Sequence, residues 1–125
     1  MKSQRFGIEI EMTGLTRRSA ALIIAKHFDT GFRHERGVYD TYSVCDQDGR
    51  KWKIVRDASI TPQCGNRFDY DPDYKVEVVS PICHYEDIET IQSIVRELRR
   101  NGHAKVNESC GIHIHVDASK HTARS

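Results

Sequence analysis

Five residues have the types and spacings of a metal or acid–base constellation: Glu9 with Glu11, Glu77, and His113 with His115. Glu9 and Glu11 sit two apart in the alternating run Phe6-Gly7-Ile8-Glu9-Ile10-Glu11-Met12. In an extended chain, side chains two apart leave the same face, roughly 7 Å from one another. Glu77 lies between Val76 and Val78, so its carboxylate points away from both valines. His113 and His115 alternate with Ile112, Ile114 and Val116 in the same way. Taken singly, each has a plain reading as the solvated side of a half-buried strand. Together they point to chemistry, because glutamate is a poor strand former and histidine is the commonest metal ligand. A donor set rich in carboxylates suits a hard ion such as Mg2+ or Mn2+. Magnesium sites also lean on substrate phosphates, which points to nucleotide chemistry. The chain has no Walker-type or Gly-x-Gly-x-x-Gly loop, so a phosphate would be held by metal and cations.

Such residues need rigid platforms. Period-two patterning predicts strands over Arg5–Met12, Val38–Cys45, Lys51–Arg56, Tyr74–Ser80 and Gly111–Asp117. Asp46-Gln47-Asp48-Gly49 predicts an antiparallel hairpin between the second and third. Thr16 is the expected N-cap of a helix through Phe28, with Ala20, Ile23, Ile24, His27 and Phe28 along one side. A second helix is expected over Glu86–Arg100, with the stripe Ile88, Ile91, Ile94, Val95, Leu98 and a stop at Asn101-Gly102. Thr61–Asp73, which holds two of the three prolines, is expected to be a long surface loop and a candidate lid or substrate loop. The expected fold is α+β: a largely antiparallel sheet with two amphipathic helices on one face. The other face then gathers the three glutamates and two histidines.

The 125 residues fit a single domain, 1–125. Nineteen basic residues against eighteen acidic ones give a formal charge of +1, which calls for neither nucleic acid nor an anionic membrane as partner. The longest apolar run, Ala20–Ala25, is far short of a membrane span, and no signal-peptide region opens the sequence, so a cytoplasmic location is expected. Cys45, Cys64, Cys83 and Cys110 are widely spaced without a Cys-x-x-Cys pair and read as free thiols rather than as disulfides or a zinc site.

Four segments in order resemble the amidoligase family of the carboxylate–amine ligase superfamily, which shares its catalytic fold with glutamine synthetase and glutamate–cysteine ligase. They are Phe6-Gly7-Ile8-Glu9-Ile10-Glu11, Trp52 to Ile60, Val76-Glu77-Val78-Val79-Ser80-Pro81, and Cys110 to Asp117. The resemblance implies that Phe6–Asp117 corresponds to the N-terminal half of a glutamine-synthetase-like catalytic domain. The chain is then expected to be an incomplete domain, with a second chain as a source of the remainder. It further implies that Glu9, Glu11, Glu77 and His113 hold Mg2+ or Mn2+, that His115 faces the phosphates of ATP, and that Asp57 and Ser59 lie near the substrate. The implied reaction is ATP-dependent amide-bond formation through an acyl phosphate, between a carboxylate and an amine that could belong to a peptide or protein side chain. Arginines that neutralise the phosphates are expected outside this stretch, with Arg17, Arg18, Arg33 and Arg36 as local candidates. Two other readings stay open. One is a two-histidine, one-carboxylate metalloenzyme using His113, His115 and Glu77, followed only by Asp117 and His121. The other is a non-catalytic module that binds metal or a partner.

Overall fold

The computed structural model describes residues 4–68 and 71–116; Asp117 and His121 lie outside them. The elements run β1 (Phe6–Met12), α1 (Arg17–Phe28), β2 (Phe32–Arg36), β3 (Thr41–Cys45), β4 (Lys51–Val55), β5 (Gln63–Cys64), β6 (Arg67–Phe68), β7 (Val76–Val79), α2 (Ile88–Gly102) and β8 (Ile112–Val116). Six of the strands form one sheet in the order β2-β3-β4-β7-β1-β8, and every neighbouring pair is antiparallel. The fold is α+β, as the patterning predicts.

Alternation along the strands separates the two faces. Ile10, Met12, Val44, Trp52, Ile54, Val76 and Val78 form the core together with Ala20, Ala21, Ile24 and Phe28 of α1 and Ile91, Ile94 and Leu98 of α2. Thr16 caps α1 as expected, its side chain accepting from the Ser19 amide at 3.1 Å. His27 is only partly inside: its Nδ1 pairs with Glu97 of α2 at 2.8 Å, which ties the two helices together.

The expected boundaries shift in four places. β2 is a strand that the sequence hides, because Phe32-Arg33-His34-Glu35-Arg36 is mostly polar. It forms at the sheet edge, where His34 stacks on Tyr42 with ring centroids 4.1 Å apart. Val38–Asp40 is turn rather than strand, and Gly37 and Asp40 there both have positive φ. The stretch Thr61–Asp73 holds the short β5–β6 hairpin and a 3-10 turn at Pro72–Tyr74 in place of a plain loop. The second helix starts after a 3-10 turn at Tyr85–Asp87 and runs through Gly102, with His103 in the left-handed conformation as its C-cap. Gly102 continues the helix because it lies against Leu15 and Ile23, where a Cβ would come within 2.8 Å of either side chain.

One buried carboxylate organises the β3–β4 hairpin. Asp46 accepts from the Asp48 and Arg50 amides at 3.0 and 2.9 Å, and from Arg50 Nε and Trp52 Nε1 at 3.0 Å each. Arg50 in turn donates to both oxygens of Asp87 at 3.0 Å, which pins the hairpin to the start of α2. By contrast β8 is an edge strand whose apolar residues Ile112, Ile114 and Val116 are exposed. Asp46→Ala strands the Trp52 and Arg50 donors and is expected to cost about 3 kcal/mol in chemical denaturation. Ile114→Thr should change stability by less than about 0.5 kcal/mol in the same assay, because Ile114 is largely exposed and little buried surface is lost.

Candidate metal centre on the open sheet face

The registers bring the predicted residues together on the face away from the helices. Glu11 pairs directly with Glu77 across β1 and β7. Glu9 pairs with His113, and Gly7 with His115, across β1 and β8. Directly opposed residues on antiparallel strands share a face at close range, so two opposed carboxylates repel. A third carboxylate, Asp57, joins them from the segment that follows β4. Ser59 fixes it, donating to Asp57 Oδ1 from its amide at 2.9 Å and its hydroxyl at 2.7 Å. Ser59 therefore orients Asp57.

Two groups of potential ligands result: Glu9, Glu77 and His113, and Glu11, Asp57 and Glu77, each with its donor atoms within 4.8 Å of one another. Glu77 belongs to both. His113 Nδ1 and His115 Nε2 each lie 3.5 Å from Glu9 Oε1, and both histidines are more than half exposed, at 55% and 66%. His115 belongs to neither group, so the reading that pairs both histidines with Glu77 finds only His113 beside that carboxylate. Among the described residues no lysine or arginine pairs with Glu9, Glu11, Asp57 or Glu77, and the ion pairs of Glu9 are with the two histidines.

The electrostatics record this crowding. Burial, followed by the charges of Glu9, Asp57 and Glu11, pushes Glu77 up to about 7. The closeness of Asp57, together with burial, raises Glu11, while Glu11 and the Ser59 donors lower Asp57. A divalent cation fits this donor set: it would offset the negative charge that the carboxylates bring together.

Asp57, expected near the substrate, is a potential ligand that patterning missed, because it follows a strand rather than alternating within one. Its only signal is the Asp-x-Ser spacing that Ser59 completes. The local arginines divide. Arg17 is 3% exposed and spends its guanidinium on Asp40, the Pro72 carbonyl and the Lys75 carbonyl. Arg18 lies over the Phe32 ring at 5.2 Å. Arg33 is on β2, four strands from β1 and so roughly 19 Å away at the usual strand spacing. Arg36 sits at the irregular end of β2 with a positive φ. The β5–β6 hairpin, placed in the expected lid, is fastened through Thr13 and Lys105 and gives no side chain to either ligand group.

An antiparallel α+β sheet, closed by helices on one face and lined by carboxylates and histidine on the other, defines the class of protein. A sequence model of one family, described as "Putative amidoligase enzyme", matches residues 2–125, and the chain belongs to that family. Membership gives it a ligase-type function, with carboxylates and amines as its general substrate classes. No curated protein and no solved structure matches the chain.

The Glu77 proton gives a pH signature without metal. The folded chain keeps this proton up to about 7, whereas the unfolded chain releases it near the ordinary 4.5. Between those values the folded state binds more protons, so its stability falls as pH rises. Thermal melts in EDTA should show Tm dropping from pH 5 to 7.5, and Glu77→Gln should flatten that slope. A wild-type slope of zero, or one that Glu77→Gln leaves intact, removes Glu77 from the cluster.

Proposed function

We propose that the open face binds Mg2+ or Mn2+ between Glu9, Glu11, Asp57, Glu77 and His113, and that the protein uses ATP to join a carboxylate to an amine. One observation carries the reading: Glu11 and Glu77 are held directly opposite each other, with Asp57 and Glu9 beside them. Among the described residues this charge has no lysine or arginine partner. Opposed like charges weaken a sheet. A fold that keeps three such groups on β1 and β7, with Asp57 brought beside them from the end of β4, is explained by a cation that they hold in common.

When bound, the metal ions would spread the charge of the phosphoryl group during its transfer from ATP. In that transfer a substrate carboxylate oxygen bonds to the γ-phosphorus and the bond to the β-phosphate oxygen breaks. The amine nitrogen then bonds to the acyl carbon, inorganic phosphate leaves, and the nitrogen gives up a proton. The chain's own part is to hold geometry. Ser59 sets the Asp57 carboxylate, the β1–β7 register sets Glu11 against Glu77, and the β1–β8 register sets His113 against Glu9. His115, outside both ligand groups and exposed, is placed to donate to a phosphate oxygen. Likeness to the glutamine-synthetase-like fold belongs to the same proposal and is supported by the family.

Calorimetric titration tests the reading. Glu9→Ala and Glu11→Ala are each expected to weaken Mn2+ at least tenfold, since both remove a carboxylate from a shared site. A non-hydrolysable ATP analogue should bind with magnesium, and lose that binding without it or with His113→Ala. Unchanged Mn2+ affinity in both glutamate variants would sink the metal assignment. Tight zinc or iron binding with no effect of nucleotide would favour the two-histidine metalloenzyme instead.

A further inference from the structure

The open face is divided in charge. Its registers align His113 of β8, Glu9 of β1, Val79 of β7, Lys53 of β4, Ser43 of β3 and Arg33 of β2 in one row. The β8–β1–β7 side carries the carboxylates, and β4 begins the basic side. Lys53 is two strands from Glu9, roughly 10 Å at the usual spacing, which a lysine side chain and a small anion can bridge. Its neighbour on the same face, Lys51, is occupied by Glu35 at 3.1 Å, whereas Lys53 makes no direct ion pair among the described residues and only adds its charge at longer range to the field that lowers Glu35.

Next to it a groove of about 490 Å³ is lined by Tyr39, Val55, Arg56, Asp57, Ala58 and Glu77. Two of these, Asp57 and Glu77, are also in the carboxylate cluster, so the groove opens directly onto the candidate metal centre. Its far wall is braced. The Arg56 amide donates to the Tyr39 carbonyl at 2.9 Å, and Arg56 Nη2 donates to the Val38 carbonyl at 2.8 Å. These bonds hold the 37–40 turn against the end of β4 with Tyr39 exposed. A guanidinium has five N–H donors, and the described structure uses one of those on Arg56 within the protein. Val55, between Lys53 and Arg56 in the chain, is directly opposite Glu77. Lys53 shares the open face of β4 with Val55, and Arg56 follows the end of that strand in the groove wall.

We propose that Arg56, in the wall of this groove, and Lys53, on the open face two residues before the groove-lining Val55, form an oxyanion-binding subsite, which holds a phosphate or a substrate carboxylate against the candidate metal centre. The proposal rests on the ligase reading above and supplies the positive charge that Arg17 and Arg18, turned elsewhere, do not. Arg56 suits a planar bidentate contact and Lys53 a point charge. Tyr39 offers a ring face to whatever the anion is attached to.

The test titrates the Mn2+-loaded chain with tripolyphosphate and, in a second arm, with glutarate. Lys53→Met and Arg56→Gln are each expected to weaken at least one of these anions tenfold or more, while Lys51→Met changes it less than twofold. A loss confined to tripolyphosphate assigns the subsite to the nucleotide phosphates, and a loss confined to glutarate assigns it to the substrate carboxylate. Wild-type affinity for both anions in the two variants overturns the proposal, as does an equal loss in Lys51→Met, which would mean diffuse surface charge. Repeating the titrations without metal separates the two readings. If the wild-type chain takes no Mn2+ but still loses tripolyphosphate through Lys53→Met, the ligase metal centre fails and the subsite stands.

Discussion

Two carboxylates facing each other across neighbouring antiparallel strands are an unfavourable pair, and the Glu11–Glu77 opposition lies between two interior strands of this sheet. The rest of the molecule is arranged around keeping that pair in place. The strands that carry it are flanked on both sides within the sheet, and their other faces are fastened by Ile10, Met12, Val76 and Val78 to the helices. Hydrophobic burial on one face holds the register, and the register enforces repulsion on the other. A one-residue slip would exchange the faces, putting glutamates under the helices, so the pairing has no inexpensive way to relax. The same crowding raises Glu11 and Glu77 above their ordinary carboxylate range, which favours taking up protons. A doubly charged cation would relieve it more fully.

Much of this was legible in the sequence, and for a physical reason. Strict alternation such as Phe6 to Met12 encodes both the strand and the side of each residue, so Glu9, Glu11, Glu77, His113 and His115 could be assigned a common face before any pairing was known. The caps and hairpin were legible because Thr16 and Asp46-Gln47-Asp48-Gly49 act locally. β2 was not legible, since its residues are polar on both sides and its strand character comes from pairing with β3. The role of Asp57 was hidden for a related reason: it is brought to the cluster by where β4 ends and by Ser59, not by periodicity. Arg17 misled most. It was a local candidate for neutralising phosphates, yet it is buried and binds together the Asp40 turn and the segment around Pro72.

The two buried polar anchors do different work from the open cluster. Asp46 and Arg17 are matched by donors or acceptors on nearly every side, and they fix the hairpin and the 71–75 segment. The open cluster is the reverse, with acceptors gathered and donors scarce. That contrast separates polar groups that stabilise a fold from those whose crowding a bound cation would offset.

β8 adds a thermodynamic dimension. It contributes His113 from the outermost strand, it pairs on one side only, and all its described side chains are exposed. Such a strand opens locally at a fraction of the free energy needed to unfold the core. Any ion that engages both Glu9 and His113 is therefore coupled to the closing of that strand. Its measured affinity is the intrinsic affinity multiplied by the fraction of molecules in which β8 is docked. Occupancy of the centre and amide hydrogen exchange at Ile112–Val116 become two readings of a single equilibrium.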